Sequence, residues 1–321
     1  MHVLDEQPFD SYDTMLGAVG YEERCTFAAT KLSGRYRNAL AVDFGGDDVT
    51  SGNHRHEMED LSFRLIAASD DIEAHVSAAL TEVVEAGQPI QIAVDISSMT
   101  REILFKIIRG IQRASEQRVV AVDFWYSPAA PPTADAHDVT VPIASAEPLH
   151  PLVSGWGADP WLPLSAIVGV GIERDLALGV AEHLDVSRVH AFVPAGIHDS
   201  FDQLAEQANA EFFLADYMIR STRYDLRQPF DLFTRVESLT YGLLRTDRVA
   251  LVPLGPKIFA LVSILVALAV PGPVAVWRFS EGDSKEHGRG APIGEMFHLR
   301  AKFDSRVPPD QHDISGTEDE I

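Results

Sequence analysis

One order of apolar runs and helical patterns occurs twice in the sequence, and the two copies lie about 150 residues apart. The first copy has apolar runs at 15–21, 39–44, 90–96 and 119–126, and the second has them at 166–171, 188–193, 249–253 and 274–279. Short apolar runs that alternate with helices are typical of βαβ units around a buried parallel sheet. We therefore predict an α/β chain of two tandem parallel-sheet domains related by internal duplication. Two unrelated α/β domains are the alternative.

Helical patterns separate the apolar runs in both copies. They lie at 23–32, 58–67, 72–86 and 100–115 in the first copy, and at 173–184, 201–210 with a continuation to 244, and 258–270 in the second. This order predicts Rossmann-like repeats at 1–127 and 164–302. Residues 128–163 between them are rich in proline and are interpreted as a linker, and residues 303–321 as a disordered acidic tail.

The charge of the chain excludes one class of function. There are 26 Lys and Arg residues against 48 Asp and Glu residues, which gives a formal net charge of −22. A broad nucleic-acid surface needs an excess of basic groups, so we expect none on this protein. Cys25 is the single cysteine, which excludes a disulfide framework and a zinc site built on several thiolates.

The most apolar segments of the chain are too short to cross a membrane. Residues 258–270 and 274–276 are the best candidates, but Pro271-Gly272-Pro273 interrupts them. A buried helix, a turn and a buried strand are predicted instead. Residues 1–13 are acidic and lack the apolar region of a signal peptide. We therefore expect a cytoplasmic protein without a membrane partner.

A basic residue stands at or near four of the predicted strand-to-helix turns. These residues are Arg24, Arg101, Arg174 and Lys257. The helix dipole disfavours a cation at a helix start, whereas free N–H groups and a cation together bind an anion. In parallel sheets these turns lie at the edge where ligands bind. A phosphate site is therefore favoured over the alternative, which is local ion pairing with neighbours such as Glu22, Glu23 and Glu173.

The turn at 95–102 carries the largest number of polar groups. Asp95 ends a strand, and Ser97 or Ser98 is predicted to cap the helix that follows. Hydroxyl and N–H groups can bind phosphate oxygens at such a turn while a carboxylate binds a ribose hydroxyl. The candidate ligand-binding residues are Tyr21, Arg24, Asp95, Ser97, Ser98, Thr100, Arg101, Arg174, Gly255 and Lys257.

Two glutamates at these turns suggest a catalytic alternative. Beside phosphate-binding groups, Glu22 or Glu173 can serve as a general base or as a nucleophile at a ribose. Ribose hydrogen bonding or an internal salt bridge is the simpler interpretation. The sequence contains no Walker A loop and no GxSxG elbow, and Gly169-Val170-Gly171 lacks the third glycine of GxGxxG. No particular cofactor is therefore predicted.

Two further clusters have simple interpretations. His54 and His56 lie in a polar stretch without a third ligand at a recognisable spacing, which favours a solvated loop over a metal site. Two aromatic residues lie at the end of the last predicted strand in each copy. They are Trp125 and Tyr126 in the first copy and Trp277 and Phe279 in the second. We expect them in the core or between the halves. Stacking on a base at the pocket rim is the alternative for Tyr126 or Trp277.

A family resemblance rests on two short turns, residues 95–101 (Asp-Ile-Ser-Ser-Met-Thr-Arg) and 254–257 (Leu-Gly-Pro-Lys). They resemble the turns of the CRISPR-associated Rossmann-fold (CARF-like) sensor domains. The resemblance implies binding of a cyclic oligonucleotide at a symmetric interface, in a component of prokaryotic defence. Such sensors are usually fused to a nuclease effector, which this sequence lacks. Arg306 and His312 have the spacing of the ribonuclease motif, but they lie in the Pro-containing tail.

These observations together predict a protein that binds a nucleotide or a related phosphorylated small molecule between two repeats, as a sensor or regulatory component. Its expected protein partner is a separate effector chain or a second copy of itself. The alternative is a nucleotide-processing enzyme that hydrolyses a glycosidic or phosphoester bond, with Glu22 or Glu173 as the catalytic residue.

Overall fold

The computed structural model describes residues 1–46, 48–82, 88–131, 143–197, 199–280 and 290–305, and only the backbone of Ser280. Arg306, His312 and the rest of the tail that follows residue 305 lie outside these ranges. Within them, no helix combines the length and apolar character that a membrane crossing requires.

A seven-stranded sheet forms the first half of the molecule. Its strands are β1 (His2–Leu4), β2 (Tyr12–Val19), β3 (Tyr36–Asp43), β4 (Arg64–Ala67), β5 (Ile90–Asp95), β6 (Val120–Tyr126) and β13 (Phe297–Phe303). They lie in the order β1-β13-β6-β5-β2-β3-β4. The five strands from β6 to β4 are parallel, whereas β13 runs antiparallel to β6 and β1 antiparallel to β13.

A six-stranded sheet forms the second half. Its strands are β7 (Ser145–Pro148), β8 (Leu164–Gly169), β9 (Arg188–Ala195), β10 (Met218–Asp225), β11 (Arg248–Pro253) and β12 (Val274–Ser280). They lie in the order β10-β9-β8-β11-β12-β7, and β7 alone among them is antiparallel to its neighbour.

Helices connect the parallel strands of both sheets. In the first half they are α1 (Phe27–Lys31), α2 (Val49–Asp60), α3 (Ile72–Thr81) and α4 (Arg101–Ser115). In the second half they are α5 (Leu176–His183), α6 (Asp199–Ala208), α7 (Ala210–Phe213), α8 (Pro229–Leu243) and α9 (Lys257–Ala269). Short 3₁₀ helices span Glu23–Thr26 and Pro151–Val153.

The two halves have the same strand order. The parallel strands β4-β3-β2-β5-β6 of the first sheet correspond one to one with β10-β9-β8-β11-β12 of the second. This is the order of a Rossmann-like unit, in which the chain reverses its direction of travel beside the first parallel strand. The predicted fold class, two Rossmann-like domains in tandem, is confirmed, and the shared order agrees with internal duplication.

The halves also exchange a strand. β7 follows β6 in the chain but pairs with β12, and β13 follows β12 but pairs with β6. The segment 128–163, predicted to be a linker, therefore contains a strand of the second sheet. The segment 164–302, predicted to be the second repeat, likewise contains most of a strand of the first sheet, and Phe303 of the predicted tail completes that strand.

Four helices lie in a central layer between the sheets. The apolar residues of α3, α4, α8 and α9 belong to one continuous core that both sheets share. α1 and α2 cover the outer face of the first sheet, and α5, α6 and α7 cover the outer face of the second. Because α9 is surrounded, all residues from Ile258 to Val266 are buried. This location accounts for the most apolar segment of the sequence.

The third parallel strand of each half was missed by the sequence analysis. β4 lies within the predicted helix 58–67, and β10 lies within the predicted helical continuation to 244. Both are edge strands, and β10 carries polar, exposed residues such as Arg220, Ser221 and Arg223. Edge strands need no apolar residues on both faces, so the pattern that marks buried strands is absent there.

A buried ion pair holds β13 on β6. Arg300 of β13 donates to both carboxylate oxygens of Asp123 of β6, at 2.7 and 2.9 Å. Glu6 accepts a further bond from Arg300 at 3.0 Å, and the guanidinium lies 3.4 Å from the centre of the Phe9 ring. The C-terminal strand is thus tied to the N-terminal segment and to β6 through one side chain.

We expect Arg300→Met to lower the free energy of unfolding by about 3–5 kcal/mol, because the variant leaves the Asp123 carboxylate buried without its partner. Urea unfolding followed by circular dichroism measures this change. Lys302→Met is the matched control, since Lys302 lies on the same strand with an exposed side chain and should change stability by less than about 0.5 kcal/mol. Equal stability of the two variants would contradict this role of the ion pair.

Candidate functional site

Two helices of the central layer begin at the same place between the halves. Arg101 is the first residue of α4 and follows β5, and Lys257 is the first residue of α9 and follows β11. Since α4 packs against α9, both helix starts and the ends of β5 and β11 face a common space. Arg101 crosses this space and donates from Nη2 to the carbonyl of Leu254 at 3.3 Å. This geometry brings two of the predicted site residues, Arg101 and Lys257, to one space between the halves.

Arg24 enters the same space from the turn after β2. Its Nε donates to Oε2 of Glu22 at 2.6 Å, and its Nη1 donates to the carbonyl of Ser127 at 3.0 Å. The guanidinium lies 5.9 Å from the centre of the Tyr126 ring. Burial lowers the pKa of Arg24, but Glu22 and Tyr126 raise it by more, so the guanidinium stays charged. Arg24 is therefore a fixed, buried cation at the end of the first sheet.

Lys257 completes a cationic cluster, which we define as Arg24, Arg101 and Lys257. Burial lowers the pKa of Lys257 to about 8; Glu22 acts to raise it, whereas Arg24 and Arg101 lower it further. No carboxylate among the described residues lies within 4.0 Å of the Lys257 ammonium. Repulsion from the two arginines is thus one cause of the lowered pKa of Lys257, and a bound anion would relieve it.

Asp95 and its neighbouring serines hold the turn together from inside. Oδ1 of Asp95 accepts bonds from the N–H and the hydroxyl of Ser97, at 2.9 and 2.5 Å, and Ser97 Oγ accepts from the N–H of Ser127. Ser98 donates to the carbonyl of Ala18. Burial raises the pKa of Asp95 to about 6, against the lowering effect of the Ser97 bonds and of Arg24. These three predicted ligand-binding residues are buried and hydrogen-bonded within the protein.

The helix cap differs from the one predicted. Thr100, not Ser97 or Ser98, is the N-cap of α4, and its hydroxyl accepts a bond from the N–H of Ile103 at 3.1 Å. The serines lie too far before the first turn of α4 to reach its free N–H groups, because Arg101 is its first residue. Thr100 itself is exposed at the helix start.

Gly255 allows the turn after β11 to lie against the turn after β8. Its N–H donates to the carbonyl of Gly169 at 2.8 Å, and a Cβ at position 255 would overlap the carbonyl of Val170. This close approach requires glycine. Gly255 therefore allows the turn that leads into Lys257 and α9 to pack closely on the end of β8.

Three other predicted site residues lie outside the cationic cluster. Arg174 is exposed and contacts Asp175 at 3.5 Å, and Tyr21 is 52% exposed. The carboxylate of Glu173 turns back over Gly171, beside the carbonyl of Leu254. Helix α5 begins only at Leu176, after Asp175 in a left-handed conformation, so Arg174 does not stand at a helix start. The ligand role predicted for Arg174 and the catalytic role predicted for Glu173 receive no support from this arrangement.

The histidine cluster lies on a helix, contrary to the predicted loop. His54 and His56 belong to α2, and His54 is buried with Nδ1 at 2.8 Å from the carbonyl of Gly20. Among the described residues, no group of three His, Cys, Asp or Glu side chains could hold a metal ion. His54 therefore supports the turn after β2, close to Glu22 and Arg24.

Of the four aromatic residues predicted in the core or between the halves, Trp125 and Tyr126 are buried, and Trp277 stacks on Phe279 with ring centres 6.3 Å apart. Tyr224 was not predicted as a site residue; it is buried near the end of β10, where burial, followed by Tyr126, raises its pKa. Its strand was predicted to be helical, so its position relative to the sheet edge could not be read.

The comparisons with known proteins leave the site open. No protein-family model matches the sequence, and no curated protein matches it significantly. The cytoplasmic domain of a prokaryotic cation chloride cotransporter is 8% identical; the match covers 85% of this chain and 97% of that domain, with a TM-score of 0.26.

Two dehydrogenase structures are similar at the same level. A short-chain dehydrogenase/reductase from Mycobacterium ulcerans is 13% identical over 68% of this chain and 90% of its own, with a TM-score of 0.24. A short-chain dehydrogenase from Mycobacterium paratuberculosis bound to NAD is 10% identical over 78% and 98%, with a TM-score of 0.25. Likeness this weak carries no argument about the ligand or the activity of this chain.

We expect Lys257→Met to raise the free energy of unfolding at pH 7, by at most roughly 3 kcal/mol, because it removes a partly buried charge. The folded protein binds fewer protons at Lys257 than the unfolded chain does between pH 8 and 10.5. The advantage of the variant should therefore shrink across that window as pH rises. Urea unfolding at pH 7, 8, 9 and 10, with Lys302→Met as the exposed control, measures it; a variant less stable than the native protein at pH 7 contradicts the expectation.

Asp95→Asn tests the second buried charge. The pKa of Asp95 is raised, so the ionised carboxylate destabilises the folded protein above pH 6, and this effect disappears as pH falls from 6 towards 3.8. We expect the variant to be the more stable protein at pH 7.5 and the difference to close by pH 4. Thermal unfolding across this range, compared with Asp5→Asn at an exposed position, provides the measurement. A difference that grows as pH falls would refute the assignment.

Proposed function

We propose that this protein binds a nucleotide or another phosphorylated small molecule between its two halves. The observation that carries the proposal is the cationic cluster: Arg24 and Arg101 from the first half and Lys257 from the second face one space, beside the half-buried carboxylate of Glu22. A chain with a net charge of −22 thus brings three basic side chains together at the starts of two helices.

The arrangement suits a small phosphorylated ligand. A phosphate between the starts of α4 and α9 would receive backbone N–H groups, two favourable helix dipoles and charge-assisted bonds from the cluster. Glu22 already orients Arg24, and it also stands where a sugar hydroxyl beside the phosphate could donate to it. A long polyanion would instead be repelled by the net charge of −22 that the chain carries.

We further propose a sensor or regulatory role. The resemblance to CARF-like sensor domains, the use of residues from both halves and the buried state of the Asp95 turn support this role over catalysis. A ligand held by both halves would change how they are held together, and a separate effector chain or a second copy could respond to that change.

The proposal predicts that Arg101→Ala and Lys257→Met each weaken nucleotide binding by at least tenfold, because each removes a charge-assisted bond to phosphate. Isothermal titration calorimetry with nucleoside mono-, di- and triphosphates and with cyclic oligonucleotides measures the affinities. Arg174→Ala is the matched control, since this arginine occupies a comparable turn but lies outside the cluster.

Three outcomes separate the alternatives. Native mass spectrometry that reveals a co-purifying nucleotide, lost in Lys257→Met, would support the proposal. Unchanged affinity in both cluster variants, or no binding by any compound of the panel, would overturn it. Turnover of a nucleotide that Glu22→Gln abolishes while binding persists would assign an enzyme instead.

A further inference from the structure

The hydroxyl of Tyr224 is a buried polar group without a hydrogen-bond partner among the described residues. The residue is 2% exposed, and its ring packs on Phe192 and Phe259, with ring centres 6.5 and 6.0 Å apart. Native proteins satisfy nearly all buried hydroxyl groups, so a group left over beside a candidate site calls for an explanation.

This hydroxyl lies where the second half meets the first at the cationic cluster. Tyr224 stands one residue before the end of β10, and burial followed by the neighbouring Tyr126 raises its pKa. Tyr126 is the last residue of β6 and lies under the guanidinium of Arg24. Tyr224 also packs on Phe259, two residues after Lys257, so it lies beside the start of α9 in the shared core.

A second set of contacts fixes the distance between these two strand ends. Arg227, shortly after β10, contacts Glu295 at 3.4 Å, and the carbonyl of Glu295 accepts a bond from Ser127, which follows Tyr126. The ends of β6 and β10 are thus tied together. These contacts hold the end of β10, where Tyr224 lies, beside the end of β6, where Tyr126 lies.

Among the side chains that the structure describes, the opposite side of the boundary shows no comparable pair of hydroxyl groups. β4, the counterpart of β10, ends with Ile66 and Ala67, which carry no polar side-chain group. Near the end of β12, the counterpart of β6, Arg278 is instead paired with Glu102 and Glu147, at 3.0 and 2.6 Å. The two sides of the duplicated structure have therefore diverged. The end of β12 carries the ion pairs of Arg278, whereas the ends of β6 and β10 carry the neutral hydroxyl groups of Tyr126 and Tyr224.

We propose that Tyr224 hydrogen-bonds a neutral polar group of the bound molecule while the cationic cluster holds its phosphate. This rests on the proposed function and narrows the ligand class to nucleoside phosphates, whose ribose hydroxyl groups lie close to the phosphate, as opposed to inorganic polyphosphate. A tyrosine hydroxyl both donates and accepts, and it is neutral, so it matches a sugar hydroxyl better than a phosphate oxygen.

The test compares two tyrosine-to-phenylalanine variants. Tyr224→Phe removes the hydroxyl at the site, and Tyr217→Phe removes another buried hydroxyl that has no partner among the described residues but lies before β10, at the other end of that strand. The probes are ADP, GDP, CDP and UDP on the one hand and inorganic pyrophosphate on the other, because both kinds carry a diphosphate and only the first carries a nucleoside.

We expect Tyr224→Phe to weaken the binding of the preferred nucleoside diphosphate by about tenfold and to leave pyrophosphate binding unchanged. Tyr217→Phe should change neither. Both variants should unfold at or above the native midpoint temperature, since neither loses a hydrogen bond, and this establishes that they are folded.

The outcomes distinguish this inference from the proposed function. Equal nucleotide affinity in the two tyrosine variants, with binding lost in Arg101→Ala and Lys257→Met, overturns the inference alone. Pyrophosphate that binds as tightly as every nucleoside diphosphate also overturns the inference alone. Absence of binding by all five probes overturns the inference, and absence of binding by the wider panel of nucleotides and cyclic oligonucleotides overturns both proposals.

Discussion

The packing of α4 against α9 is the constraint on which the site depends. Each helix starts shortly after a central strand of its own sheet. The apolar side chains of both helices are buried in the shared core, which holds the two helices together. Their N-terminal N–H groups therefore open on one space, and the first residues, Arg101 and Lys257, are brought there by the burial of apolar side chains that follow them. The polar site is a geometric result of apolar packing.

Local patterns predicted the buried part of the fold well. Strands such as β5 and β11 are covered on both faces, so their apolar character is visible in the sequence itself. The edge strands β4 and β10 carry no such signal, because one side of each meets solvent. The exchange of β7 and β13 could not be predicted either, since nothing in a short strand states which distant partner it will pair with.

The site was predicted at the level of turns and not at the level of side chains. A basic residue near a predicted helix start is visible in the sequence. Three of the four such residues, Arg24, Arg101 and Lys257, lie together in the cationic cluster. Arg174 does not, because α5 starts later than its pattern indicates. Asp95 illustrates a second limit: the same carboxylate can face a ligand or close its own turn, and only the contacts with Ser97 decide between them. Buried charges here lower stability, as is common where binding groups are held in place before a ligand arrives.

The exchanged strands have a consequence for how the protein is made. On the ribosome the first half emerges before the second, yet β13, which covers the edge of β6, follows all the strands of the second sheet in the chain. Until then β6 presents unpaired backbone groups, an edge to which other nascent chains can add. The first sheet is thus completed only after the second half has been synthesised, and the two halves reach their final form together.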